Sequence, residues 1–223
     1  MDALRFYGVR DIRFEEAPEP IIETDSEVKI KVKAVGICGS DIHRYALLGP
    51  YVPGTVWGHE FSGEVVAVGK NVTKVKVGQK VTACPALYCG KCDSCKKAKF
   101  AQCENLGVIG QHHQGAFAEY IVMEEENVVP VPENVSYDAA AMVEPSCVVA
   151  HGYYKVNLDP GDTVAVVGCG TIGLLAIQWA KIFGASKVIA IDIDDAKLEL
   201  AKKLGADETI NSRNKEHLKK FIK

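Results

Sequence analysis

The chain has 223 residues, 48% hydrophobic and 25% charged, with 26 basic against 29 acidic side chains and a net charge of −3. This is the composition of a folded globular protein rather than a disordered one, and the near balance of charge leaves no field to gather nucleic acid or an anionic membrane. The longest mostly apolar run, residues 164–177, is interrupted by Gly168, Gly170 and Gly173 and is too short to cross a bilayer.

Residues 1–10 carry Asp2, Arg5 and Arg10 and no apolar stretch, so no secretory leader is expected and the chain reads as cytoplasmic. In residues 27–35, Val28, Ile30 and Val32 alternate with Lys29, Lys31 and Lys33, the period of a strand buried on one face. Residues 61–68, 80–83 and 117–123 look similar and are separated by turns rich in Gly and Asn, which predicts a barrel-like β domain over about residues 1–150.

Within that half, Cys89, Cys92, Cys95 and Cys103 fall on one short loop with gaps of two, two and seven residues. Four thiolates so spaced can close a tetrahedral shell around Zn²⁺ without help from distant residues. Two disulfides are the alternative, which a reducing compartment disfavours. Lys91, Lys96, Lys97 and Lys99 around the loop also admit nucleic-acid contact, but such lysines usually just solvate a loop. Cys38, in the segment Gly36-Ile37-Cys38-Gly39-Ser40-Asp41-Ile42-His43, and the pair His59-Glu60 supply a thiolate, an imidazole and a carboxylate, the ligand types of a catalytic Zn²⁺. As isolated residues they read equally as a buried cysteine, a hydrogen-bonded histidine and a surface glutamate.

Ser136 is placed to cap a helical stretch that runs through Val156, broken at Pro145 and Gly152 into a helix pair. Beyond it, residues 163–167, 187–191 and 208–210 read as strands, 171–183 and 195–204 as helices, and a last helix starts near Asn214. That alternation predicts a parallel sheet over 151–223, so the fold class is a β domain followed by α/β. Gly168, Gly170 and Gly173 form a Gly-x-Gly-x-x-Gly between the first strand and first helix, with Thr171 and Ile172 inside it. Such a turn lets a pyrophosphate approach backbone and helix N-terminus. Asp192, at the end of the next strand, would accept hydrogen bonds from the adenosine ribose and repel a 2′-phosphate, which favours NAD, and Lys197 reads either as a second contact to that ribose or as a solvated helix residue.

Gly58-His59-Glu60 before Phe61-Ser62-Gly63-Glu64, the four-cysteine loop, Glu144-Pro145 and the glycine signature follow one another as in the zinc-dependent medium-chain dehydrogenases, and the chain resembles the polyol branch of that family over essentially its whole length. The resemblance implies a GroES-like catalytic domain, then a Rossmann domain, with the active site in the cleft between them. It implies a structural zinc on Cys89, Cys92, Cys95 and Cys103. It implies a catalytic zinc on Cys38 and His59, with Glu60 and Glu144 as the two carboxylates at this metal, one bound directly and the other directly or through water. Ser40 and His43 match a proton relay, and Asp41 the carboxylate that orients the histidine. The implied reaction oxidises a secondary alcohol of a polyol or polyol phosphate, of galactitol-1-phosphate or sorbitol type, to a ketone with hydride transfer to NAD. L-Threonine or 2,3-butanediol oxidation, or a non-catalytic zinc-binding fragment, are the alternatives. A dimer or tetramer is implied, with a small-molecule substrate and neither nucleic acid nor membrane as partner.

Galactitol-1-phosphate enzymes often carry an arginine pair where this chain has Gln111-His112-His113-Gln114, which puts phosphate recognition in question; Arg44 and Tyr45 are further candidates to face the substrate. Relatives continue past Lys223, so the resemblance reads the chain as a truncated, poorly active form with an apolar sheet edge and face exposed. Cys84, Cys147 and Cys169 are expected to be small core residues. Oxidation of Cys169, inside the glycine turn, would interfere with the cofactor.

Overall fold

A computed structural model describes residues 1–215, which divide into two compact units, Met1–Glu144 and Pro145 onward. In chain order the first unit holds strands β1 (Asp2–Gly8), β2 (Asp11–Glu16) and β3 (Glu27–Val35), helix α1 (Gly39–His43) followed by a π-helical turn at Arg44–Leu48, and strands β4 (Thr55–Val56), β5 (Phe61–Val68), β6 (Lys80–Ala83) and β7 (Ala86–Leu87). Helix α2 (Asp93–Lys96), strands β8 (Gly107–Val108), β9 (Tyr120–Glu124) and β10 (Val128–Pro130), and helix α3 (Tyr137–Ala141) complete it. Helix α4 (Val143–Val156) leads into β11 (Thr163–Val167), α5 (Thr171–Ile182), β12 (Lys187–Asp192), α6 (Asp195–Lys203) and β13 (Glu208–Asn211).

The lysine-alternating segment lies at the centre of a five-stranded sheet, β10-β6-β5-β3-β9. Val28 and Ile30 are fully buried against Phe61, Val65, Val81, Ile121 and Met123, while the side chains between them face outward, as a period of two requires. The β3–β5 register shifts between Val32 and Ala34, so the strand end that leads to Cys38 is turned relative to its start. A second sheet, β2-β1-β4, carries the N-terminus. Its hairpin turns at Val9-Arg10, with Arg10 at φ 59°, a left-handed conformation that sequence patterns associate with Gly or Asn. The turn chemistry therefore hid both strands.

The helix pair has its boundary at Met142 rather than at the expected breaks. Ser136 accepts the Ala139 N–H as the cap of α3, and α4 runs unbroken through Gly152. Pro145 sits in the first turn of α4, where its missing N–H removes no helical bond. The strand expected over 117–123 begins only at Tyr120: the Glu119 carbonyl still bonds Val32 of β3, but the Phe117 carbonyl bonds Leu4 of β1.

The second unit is a parallel sheet in the order β11-β12-β13, with Val164 opposite Val188 and Ile189 opposite Glu208. Val166, Ile177, Ala180, Val188, Leu198 and Ala201 form its core. The other side of β11 is open: Val167 is 81% exposed. The helix expected from about Asn214 lies largely outside the described residues.

Candidate metal centres and glycine turn

Two groups of metal-ligand type converge in the first unit. In each, one ligand atom per residue lies within 4.8 Å of all the others. The first is Cys38, His59 and Glu60. Cys38, three residues beyond the turned strand, caps α1; its N–H donates to Asp41 Oδ2 at 3.0 Å, and its carbonyl accepts the Asp41 N–H at 3.0 Å. His59 and Glu60, just before β5, are both buried, and the Glu60 carbonyl accepts the Gly36 N–H at 2.6 Å. A Cβ at Gly36 would stand 2.5 Å from Glu60 Oε2, so only glycine leaves room for this carboxylate.

The electrostatics favour the ligating thiolate of Cys38 and a proton on His59 that a bound cation would replace. A hydrogen bond from His59, then bonds from the Ser40 hydroxyl and N–H, hold the Cys38 thiol below its ordinary value against the opposing effect of burial. Burial alone would lower His59, but its hydrogen bond to Cys38 and the charges of Asp41, Cys38 and Glu144 outweigh it and raise it. Burial pushes Asp41 up, and burial, Glu60 and Asp41 together push Glu144 up. Negative charge thus crowds one buried histidine. His59 Nδ1 and Asp41 Oδ1 are both buried without a hydrogen bond and face each other at 3.8 Å. A divalent cation held by the sulfur, nitrogen and oxygen donors would neutralise that crowding and leave the imidazole N–H to Asp41, so the residues present fit zinc.

Glu144 and His43 are not brought into this group. Glu144 is half-buried at the start of α4 and acts on His59 through charge, while His43 stands exposed at the end of α1. Of the two carboxylates left open by the sequence, Glu60 is the one at ligand distance.

The second group is Cys89, Cys92, Cys95 and Cys103, four free thiols converging on one point rather than pairing. Cys103 Sγ accepts the N–H groups of Cys89 at 3.3 Å and Asn105 at 3.4 Å, and Cys92 Sγ caps α2. Backbone N–H groups of Lys91 and Cys92 lower Cys89 to about 6, whereas burial pushes Cys95 up to about 12.

In the second unit Gly168 has φ 91°, and a Cβ on Gly173 would fall 1.8 Å from the Gly168 carbonyl oxygen, so the first turn of α5 lies directly on the glycine turn. Gly170 caps α5, and Thr171 and Ile172 are exposed at its N-terminus. Asp192 is engaged by the chain itself: Oδ2 accepts the Cys169 N–H at 2.6 Å and Oδ1 the N–H groups of Ile193 and Asp194, tying the turn to the end of β12. These bonds, and Lys197, keep its carboxyl low. Sequence reasoning missed Arg213, which lines one depression with Ile193, Asp194 and Lys197; its signal was a cation directly after the third strand of the unit.

Three smaller expectations change. Cys84 and Cys147 are exposed rather than core; only Cys169 is buried. Burial and the charge of Asp192 raise the Cys169 thiol, which works against its oxidation. Tyr45 turns toward Phe6, 6.5 Å between rings, and His113 packs beneath Gly107.

Residues 24–133 match the family model of the alcohol dehydrogenase GroES-like domain and residues 171–223 that of the zinc-binding dehydrogenases, together more than half of the chain. The chain is 40% identical to sorbitol dehydrogenase of Bacillus subtilis (strain 168), over 99% of its own length and 64% of that protein's. It is 45% identical to D-arabitol-phosphate dehydrogenase of Enterococcus avium, over 89% and 57%. The crystal structure of galactitol-1-phosphate dehydrogenase from Escherichia coli superposes with a TM-score of 0.89 at 38% identity, over 96% of this chain and 62% of that one. The chain therefore spans about three-fifths of the length of these relatives.

Proposed function

Because the chain belongs to the zinc-dependent medium-chain dehydrogenases, we propose that it takes part in the NAD-dependent oxidation of a secondary alcohol of a polyol or polyol phosphate to a ketone. The observation that carries this reading is the convergence of Cys38, His59 and Glu60. When bound there, zinc supplies Lewis acidity toward the alcohol oxygen, and NAD supplies the hydride acceptor.

Cys38, His59 and Glu60 would hold the cation, and Asp41, which faces His59 Nδ1 at 3.8 Å, is placed to orient that ring. Glu144, beside His59, is the reserve carboxylate of the site. Ser40 is one turn from His43 on α1, and its hydroxyl already donates to the Cys38 sulfur. Turned from that sulfur, Ser40 Oγ takes the proton of the alcohol and passes it toward His43 and solvent. Gly168, Gly170 and Gly173 let the cofactor pyrophosphate approach the N–H groups of Thr171 and Ile172, and Asp192 and Lys197 meet the adenosine ribose. Cys89, Cys92, Cys95 and Cys103 hold a second, structural zinc. We place the protein in the cytoplasm as a dimer or tetramer; among the described residues no helix is long and apolar enough to cross a membrane.

The test is NADH formation from galactitol 1-phosphate, sorbitol, L-threonine and 2,3-butanediol, with metal content measured in the same sample. Polyol-driven NADH formation with metal at both clusters is expected. Preference for L-threonine or 2,3-butanediol would move the chain to that branch, and metal at the four-cysteine loop alone with no NADH from any alcohol would overturn the reading in favour of a binding module.

A further inference from the structure

Arg5 pairs with Glu15 and Arg13 with Asp11, whereas Arg44 forms no ion pair among the described residues. Its position is specific. The Arg44 N–H bonds the carbonyls of Ser40 and Asp41, which places it one helical turn beyond Ser40, next to the Cys38 cluster in the chain. The guanidinium carbon lies 3.5 Å over the Tyr51 ring, and the Tyr51 ring meets that of His112 at 4.5 Å with a tilt of 31°. Arg44 Nε is buried and has no hydrogen-bond partner.

A buried donor left so is unfavourable unless a ligand supplies the acceptor. A guanidinium stacked on an aromatic face keeps its planar fork of N–H groups pointing outward from the stack edge, the geometry that receives a phosphate with two parallel hydrogen bonds. His112, on the loop that the sequence left without an arginine, meets the same Tyr51 ring. The cation missing from residues 111–114 is thus supplied to the same aromatic stack by another segment, the π-helical turn after α1.

We propose that Arg44, stacked on the Tyr51 ring that His112 also meets, is the receptor for the phosphate of a phosphorylated polyol substrate, so that polyol phosphates are preferred over free polyols. The inference rests on the dehydrogenase reading above and names its substrate class. Arg44 acts here as a specificity residue; it carries no step of the oxidation.

Calorimetric titration of the zinc-loaded chain with galactitol 1-phosphate, galactitol and inorganic phosphate tests it. The ester is expected to bind about tenfold to a hundredfold more tightly than galactitol, the range of one charge-assisted contact. Arg44→Met should erase that preference while galactitol affinity moves less than about threefold, which also shows that the variant is folded, and Arg44→Lys should keep part of the preference as a single point charge. Equal binding of ester and alcohol by the unsubstituted chain, or a preference that survives Arg44→Met, overturns the assignment. Inorganic phosphate bound as tightly as the ester would make this a free-anion site and overturn it as well. The two readings fail separately. An Arg44-dependent ester preference without NADH formation leaves the receptor and removes the reaction, whereas NADH formed equally well from both alcohols leaves the reaction and removes the receptor.

Discussion

Cys89, Cys92, Cys95 and Cys103 converge within a loop whose only buried residues between 89 and 106 are Cys95 and Cys103, whereas Cys38 meets His59 and Glu60 because two paired strands end side by side. The loop has almost no apolar core to offset the entropy of ordering its chain, so a metal bound there is folding energy. The strand-end cluster is held by Asp41, Gly36 and the buried face of β5 before any ion arrives. Sulfur ligation thus has two different dependencies in one unit, and the difference is open to measurement.

The largest contrast is expected from Cys95→Ser. Structural zinc contributes on the order of 10 kcal/mol in small domains, so the variant should lose the loop metal and open the loop to trypsin at Lys96, Lys97 and Lys99. Mass-spectrometric peptide mapping should show this while amide protection in β3 and β5 persists; an equally resistant loop would mean that packing supports it after all. Cys38→Ser reverses the pattern. It should remove the other metal equivalent, with affinity down by about 100-fold or more, and abolish polyol-dependent NADH formation while the loop stays resistant. Near-normal turnover in a metal-checked sample would refute the ligand role.

Gly36→Ala is a milder probe of the framework, since its Cβ would press on Glu60 Oε2. Displacing that carboxylate should weaken metal at Cys38–His59–Glu60 by about 10- to 100-fold, read by chelator competition, without touching the loop metal. The smallest effect concerns pH in the zinc-stripped chain, in the molecules whose loop is still closed. With Cys89 lowered to about 6 and Cys95 raised to about 12, Cys89 is thiolate above about pH 6 and Cys95 remains a thiol at neutrality. Iodoacetamide at pH 7 should therefore label Cys89 well before Cys95. The lowered Cys89 value also favours the closed loop above the unfolded thiol pKa, a contribution lost as pH falls through about 6. Equal labelling of the two would show that the stripped loop no longer holds its N–H···S bonds.

Much of this was legible because the chemistry is local in the chain. The alternation of Val28, Ile30 and Val32 with lysines gave the central strand, and Gly168, Gly170 and Gly173 gave the strand–turn–helix unit, since each pattern acts over a few residues. The β1–β2 hairpin was hidden because Arg10 adopts a conformation that the residue type does not advertise. Pro145 misled because a proline in a first turn breaks nothing. Cys84 and Cys147 misled because burial depends on what lies opposite, which residue type alone does not say.

By itself the sequence determined the inventory: which donors are thiolates, which turn must be glycine, which strands have one buried face, and which family the chain resembles. The tertiary structure alone decided which members of that inventory meet. It put Glu60 rather than Glu144 at ligand distance from Cys38 and His59, gave one oxygen of Asp192 to the glycine turn and the other to the N–H groups that follow it, and stacked Arg44 on Tyr51. The reason is physical: periodicity fixes the direction of a side chain relative to its near neighbours, whereas contact across tens of residues depends on strand register and where each strand ends, which only the closed sheet fixes.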